Sequence, residues 1–362
     1  MSFINEEDDE FDRLPDAILR LIFNKLHEVD PESLSRCNLV CKRFASLIPQ
    51  VDNVYLTVPR KSLCGSYDQI SKSSCIDCSH RSKSLFKSLI RKLITTPFRC
   101  LRRIITLKSS SSSRFDCSYH SPNEILKNFK EIQSLQIELP GYGGEIESIN
   151  DGDSLLRWRA EFGSHLESCV ILGSKSFDTP NHKQQQEEED EEEEEAELTD
   201  DELKLRVVWT ISCLIAASAR HYLMQQVVST HQMLQNVVVT DRSKQGRLNM
   251  KREQIEELRS KVNSSAELEL SPMLERTPLP ALKMKLWYVP VIELPASGCV
   301  MRGATLLVIR PVDGEKKAEE SDGDLVERVW NGEGGGEEEG FSEAVWEMMK
   351  KKKSYTLEMN SF

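Results

Sequence analysis

The side chains best suited to chemistry gather in one stretch of the chain. Cys75-x-x-Cys78-x-His80, with Cys64, Cys117 and His120 further off, holds the start of a zinc site. A structural zinc ion needs four ligands in a tetrahedron, so a dependable pattern supplies a second close pair. Cys117-x-x-His120 offers one, but far along a serine-rich segment, and free loop cysteines are the expectation. Gly141-Tyr142-Gly143-Gly144 lacks the spacing of a dinucleotide loop and the helix that should follow it. Gly332–Gly336 is flanked by glutamates that would repel phosphate. His221 and His231 lie ten apart in a helical stretch, hence on different faces. G-K-[ST], H-E-x-x-H and G-x-S-x-G do not occur. The reading is a chain with no catalytic residue, no metal ligand and no cofactor of its own.

Charge is unevenly spread. The 362 residues carry 47 Lys and Arg against 59 Asp and Glu, a net −12, so attraction to nucleic acid or an anionic membrane is not the default. Yet residues 60–120 hold 13 Lys and Arg against Asp68, Asp77 and Asp116, a net +10, while Glu187–Glu202 holds 13 acidic residues and no basic one. Arg81–Lys108 is basic enough to hold RNA, a nuclear importer or the acidic tract in cis, but its aromatics are few and lay out no stacking platform. Ten cysteines are too few for a disulfide scaffold. The acidic start MSFINEEDDEFDRL does not read as a signal peptide. The uncharged run Val207–Ala219 would rise only about 20 Å as helix, short of a bilayer core, and reads as a core helix. An intracellular protein with reduced cysteines is expected.

These features need elements to place them. The segmentation is an acidic tail at 1–12, a helical block at 13–50, a basic serine-rich mobile segment at 60–120 with one amphipathic helix near Leu85–Ile94, and an acidic linker at 183–202. An α/β region covers 121–180 and 203–312, with a strand at 54–58. A Gly/Glu linker at 313–340 and a carboxyl-terminal helix and tail at 341–362 close the chain. Alternating, β-branched sequence predicts strands at Val54–Val58, Ser134–Leu139, Leu166–Leu172, Leu282–Val289 and Thr305–Ile309. Helices are predicted at Trp158–His165, from Leu203 toward Asn236, over Arg247–Val262 and over Phe341–Lys352, with Thr199 or Asp200 capping the long one. Ile132, Leu135 and Ile137 echo Leu166, Cys169 and Ile171 at an offset of 34, resembling leucine-rich-repeat spacing. The fold class is α+β or α/β: three amino-terminal helices, then a mixed helix and sheet domain or a degenerate leucine-rich stack.

The helical block runs LPDAILRLIFNKLHEVDPESLSRCNLVCKRFASLI. Pro15 suits a first helical turn and Asp16 the helix dipole. Ile18, Ile22 and Leu26 recur every four residues beside Leu19 and Phe23. Asp30-Pro31 starts a second helix with Leu34, Cys37 and Val40 on its inner side, and Cys41-Lys42-Arg43-Phe44 opens a third. Three helices this short have too little interior for so many apolar groups, so some must face a partner.

This block resembles the F-box, the trihelical module that docks on the Skp1 adaptor of SCF ubiquitin ligases. Its Leu-Pro start matches Leu14-Pro15, its aliphatic ladder matches Ile18, Leu19, Ile22 and Leu26, and its central leucine matches Leu34. Val40-Cys41-Lys42-Arg43-Phe44 matches its signature, with phenylalanine where tryptophan is commoner, which keeps most of the burial without the indole N–H. The strand ending Leu56-Thr57-Val58-Pro59 is similar to plant F-box proteins of the auxin-up-regulated type. The resemblance implies a non-catalytic substrate receptor in the nucleus or also the cytoplasm. Leu14, Pro15, Ile18, Leu19, Ile22, Leu26, Leu34, Val40, Cys41 and Phe44 would bind a Skp1-type adaptor, and through it Cullin1 and a RING subunit. The carboxyl-terminal region would hold an unknown protein substrate. The rival readings are an adaptor-bound scaffold without ligase turnover, and a nucleic-acid-associated protein using residues 81–108.

Overall fold

A computed structural model describes residues 10–29, 34, 36–58, 122, 126–127, 129–140, 155–178, 198–264, 276–312, 320–330 and 337–361. The Cys64–His120 group, the basic segment with its helix near Leu85–Ile94, both glycine clusters and the acidic run up to Glu197 lie outside the described residues.

Helices α1 (Asp16–Val29) and α2 (Lys42–Leu47) lead into strands β1 (Asn53–Thr57), β2 (Ser134–Leu139), β3 (Leu155–Phe162), β4 (Leu166–Ser174) and β5 (Ser176–Asp178). Helix α3 (Asp200–Thr230), the hairpin β6 (Asn236–Asp241) and β7 (Gly246–Met250), and helix α4 (Arg252–Ser264) come next. The chain closes with β8 (Leu282–Glu293), β9 (Val300–Pro311), α5 (Asp322–Trp330), α6 (Glu337–Met349) and β10 (Tyr355–Met359). The ten strands among the described residues form one sheet in the order β1-β2-β6-β7-β3-β4-β9-β8-β10, with β5 also on β9. The β1/β2, β2/β6 and β7/β3 pairings are parallel and the others antiparallel.

The middle of the sheet, around β4, β9 and β8, is packed on both faces. On β4, Cys169 and Ile171 point into a core shared with Trp209 and Leu214 of α3, while Val170 and Leu172 point into a second core with Val326 and Val345 of α5 and α6. A strand covered on both sides reads as a continuous apolar run rather than an alternation, as Cys169-Val170-Ile171-Leu172 does. The amino-terminal helices belong to the same body. Leu19 and Phe23 of α1 join the first core with Val54 and Leu135, and Asn24 Oδ1 accepts the Asp52 N–H at 3.0 Å. The Asp52 carbonyl then accepts the Gln133 N–H at 2.7 Å, which ties the helical block to the start of β2.

Five expectations are corrected. Trp158–His165 is mostly strand: Trp158, Ala160 and Phe162 face the first core, and Arg159 and Glu161 between them, buried and paired, hid the alternation. The long helix stops at Thr230, and the β-branched Val237-Val238-Val239 beyond it forms β6. Arg247–Val262 is divided, with β7 to Met250 and helix only from Arg252. The stretch 313–340 contains α5, where Leu325, Val326, Val329 and Trp330 make one buried face and Ser321 Oγ accepts the Asp324 N–H at 3.1 Å. The tail beyond α6 adds β10 to the sheet.

The two echoing segments fall on β2 and β4, which are separated by β6, β7 and β3, so they do not stack as neighbouring repeats. The length argument about the membrane also changes, because α3 spans 31 residues and is long and apolar enough to cross one. Its apolar window is 67% buried within the protein, and Arg206 and Arg220 are buried along with it. The helix is the centre of a core.

Candidate functional site

The helical block is built around an entry turn. Ile18 and Leu19 both donate their N–H to the Pro15 carbonyl, so Pro15, with no donor to lose, starts α1. Arg43, near the start of α2, clamps that entry: Nε and Nη2 reach Asp16 Oδ1 at 2.9 and 2.7 Å, Nη1 donates to the Phe11 carbonyl at 3.0 Å, and Nη2 also donates to the Leu14 carbonyl. Cys41 caps α2, its Sγ accepting the Phe44 N–H at 3.4 Å. The Phe44 ring meets Phe23 edge-on at 5.1 Å and Phe11 at 6.1 Å. Such edge-to-face pairs hold the α1–α2 angle without needing an indole N–H. Between the two helices, Leu34, Arg36 and Cys37 are helical, and Asp30-Pro31 lies outside the described residues.

The ten expected docking residues divide by burial. Leu19 and Leu34 are buried and hold the block together. Leu14, Ile22, Leu26 and Phe44 are half-buried, and Pro15, Ile18, Val40 and Cys41 are exposed. Three further apolar side chains escaped the sequence reading: Phe11, Leu21 and Leu39. With Ile18 (42% exposed) and Val40 (68%), Phe11 (48%), Leu21 (62%) and Leu39 (84%) make five of the nine large apolar side chains exposed among the described residues, all within residues 11–40. Leu21 was legible as a second face of α1, since it lies three residues from Ile18. Leu39 carries no periodic signal because it sits in the turn before α2.

The sheet behind this block has the opposite character, with charges sealed inside. Arg220 on α3 lies over the Trp158 ring at 4.5 Å, donates to the Gly246 carbonyl at 2.6 Å and pairs with Asp241 at the end of β6. Burial alone would raise the Asp241 carboxyl, but Arg220 and hydrogen bonds from Ser243 and the Gln245 N–H hold it below its ordinary range. Arg206 is wedged over Tyr288 at 4.9 Å and donates to Thr305 Oγ1 at 3.1 Å. His221 stacks on Phe162 and bridges Thr277 Oγ1 at 2.7 Å and the Gly163 carbonyl at 3.0 Å. Burial pushes its imidazole down to about 3, so it is neutral near pH 7. Burial likewise raises the Cys169 and Cys213 thiols, leaving them un-ionised and poor nucleophiles. Among the described residues no group of three or more His, Cys, Asp or Glu is placed to hold a metal ion.

A short helical unit with a surplus of outward apolar side chains, fixed to a mixed sheet by a shared core, is a docking module on a carrier domain. A family model described as F-box-like matches residues 11–52. The chain is 41% identical to F-box protein At5g46170 of Arabidopsis thaliana, covering 98% of this chain and 94% of that protein. It is 42% identical to F-box protein At4g18380 of the same plant, over 99% and 95%. F-box protein AUF2 of Arabidopsis thaliana is 33% identical over 98% of this chain and all of its own length. No solved structure matches the chain.

The chain belongs to the F-box protein family. Proteins of this family are non-catalytic, Skp1-binding substrate adaptors of SCF ubiquitin ligases. The narrower resemblance to the auxin-up-regulated type is the weaker one, because the AUF relative is less similar than the other two.

Proposed function

We propose that the outward apolar side chains of residues 11–44 seat a Skp1-type adaptor, which joins the chain to Cullin1 and a RING subunit in the nucleus, and that the sheet domain holds a protein target. The supporting observation is the concentration of exposed apolar groups in the F-box, five of the nine such side chains among the described residues, against a sheet whose central strands are covered on both faces. Leu14, Pro15, Ile18, Ile22, Val40 and Phe44 contribute at the surface, with Phe11, Leu21 and Leu39 added to them. Leu19 and Leu34 act from beneath by fixing the helices. The chain contributes proximity: it turns an encounter between a charged ubiquitin carrier and a target lysine into a reaction within one complex. Because α1 shares its core with the sheet, the target is held at a set position relative to the adaptor.

The test is affinity purification with the proteasome blocked, comparing wild type with the double variant Leu14→Ala, Pro15→Ala, followed by reconstituted ubiquitination of the proteins recovered. The reading expects the variant to lose adaptor, Cullin1 and RING subunit together, keep the target and fail to modify it. A variant that recovers undiminished adaptor contradicts the interface. Targets recovered but never modified by the wild-type complex would make the chain a scaffold.

A further inference from the structure

The apolar surface of residues 11–44 has two parts that are held in different ways. Ile18, Leu21, Leu39 and Val40 project from α1 and from the turn before α2, above the buried Leu19 and Leu34. Phe11, Leu14 and Pro15 stand instead on the entry turn, where burial does little. We propose that Arg43 is a positioning residue for adaptor docking. It holds residues 11–15 in the one arrangement in which Phe11, Leu14 and Pro15 continue the apolar surface of the helices. This deepens the receptor reading above and rests on it.

The entry turn has few means of its own to stay ordered. Glu10–Arg13 is a single 3₁₀ turn, and the Leu14 N–H donates to the Phe11 carbonyl at 3.2 Å. Phe11, Arg13 and Pro15 are exposed and Leu14 is half-buried. A segment with so little burial stays ordered only where it is tied down. The tie comes from α2. The Arg43 guanidinium reaches the Phe11 carbonyl through Nη1 at 3.0 Å and the Leu14 carbonyl through Nη2. Nε and Nη2 also reach Asp16 Oδ1, at 2.9 and 2.7 Å. One planar fork therefore fixes acceptors on residues 11, 14 and 16, a task for which the ammonium of lysine lacks the shape. The next residue, Phe44, sets its ring edge-on to Phe11 at 6.1 Å, so α2 holds the turn by its main chain and by a side chain.

The ion pair itself is the smaller part of this hold. The Asp16 side chain is 59% exposed and that of Arg43 29%, so solvent screens their attraction. What Arg43 supplies is the geometry of the turn, which the adaptor would otherwise have to impose on binding. A surface that is ordered for only a fraction of the time binds more weakly by that fraction. Loss of Arg43 weakens docking through Phe11, Leu14 and Pro15, and through them alone.

The test is a double-mutant cycle on the full chain, read as affinity for a purified Skp1-type adaptor by calorimetric titration. Arg43→Met should weaken binding by about tenfold, and Phe11→Ala with Leu14→Ala by about tenfold or more. In that double-alanine background Arg43→Met should change affinity by no more than about twofold, because the turn it positions no longer contributes. In a Leu21→Ser background it should again cost about tenfold. Arg43→Lys, which keeps the charge and loses the fork, should behave as Arg43→Met. Melting temperature is measured first, and Arg43→Lys carries the same cycle should Arg43→Met fail to fold. An equal cost of the Arg43 variants with and without the double-alanine change would place Arg43 on the adaptor itself. Full affinity in Arg43→Lys would make it a simple charge. Either result overturns the proposal while leaving the adaptor surface in place. If Phe11→Ala with Leu14→Ala binds as wild type does, the receptor reading fails at this turn and the proposal falls with it.

Discussion

In residues 11–40 large apolar side chains stand in solvent, whereas across the sheet Arg206, Arg220, Asp241 and His221 are withdrawn from it. Both arrangements cost free energy in an isolated chain, and they differ in how the cost is met. On the proposed reading the F-box surplus is relieved when the adaptor covers it, and those residues are expected to contribute to binding and little to folding. The interior charges are relieved within the chain by partners on other elements. The Arg206 and Arg220 pairings tie α3 to β9 and to the β6–β7 hairpin, and His221 ties it to the turn after β3. A docking surface and a specified carrier thus use the same side-chain types in reversed places.

The largest expected effect comes from breaking an interior pair. Arg220→Met removes the partner of a buried carboxylate and should lower stability by about 3–5 kcal/mol, read as a fall in the urea midpoint. A shift within error would mean that Asp241 is relieved by water, and the contrast would fail at its best-defined site.

The next comparison lies within one helix. Leu19→Ala should cost about 2–5 kcal/mol because Leu19 is fully enclosed beneath the F-box. Leu21→Ala, two residues away and facing solvent, should change stability by no more than about 0.5 kcal/mol. Equal costs would show that the two faces of α1 are not assigned as described.

Histidine 221 gives a smaller, graded effect. Its folded pKa of about 3 lies below the ordinary 6.5, so the unfolded chain binds the extra proton between those values. Stability contributed by the neutral ring is therefore present above pH 6.5 and lost as pH falls toward 3, approaching about 1.4 kcal/mol per pH unit. Urea midpoints between about pH 7 and 5 should fall more steeply for wild type than for His221→Gln. Parallel slopes would contradict the burial of this ring as a neutral group.

Parts of this architecture were legible in the sequence because one physical signal dominated locally. Ser134–Leu139 matches β2 to the residue, since Leu135, Ile137 and Leu139 alternate toward a single covered face. Thr199 caps α3, its Oγ1 accepting the Glu202 N–H at 3.3 Å, as its place before an acidic first turn implies. The signal failed where two requirements overlapped. In β3, Arg159 and Glu161 occupy positions that face α5, where Arg328 pairs with Glu161 and Ser168 Oγ donates to it, while Arg159 lies over the Trp330 ring and donates to its carbonyl. In Asp313–Gly340 the abundance of glycine and glutamate masked the short face of α5. At the F-box, periodicity located the helices but could not say which apolar residues face inward: Leu19 and Ile18 are adjacent in sequence and opposite in role.

The proposed docking surface requires that the exposed apolar side chains of the F-box serve the adaptor and not the fold. The direct measurement is calorimetric titration of a Skp1-type adaptor into wild type and into the triple variant Leu21→Ser, Leu39→Ser, Val40→Ser, each first checked for thermal stability. The expected result is an unchanged melting temperature and an affinity lower by about a hundredfold, as when several apolar contacts leave one interface. An affinity within about twofold of wild type, with the fold intact, would contradict it.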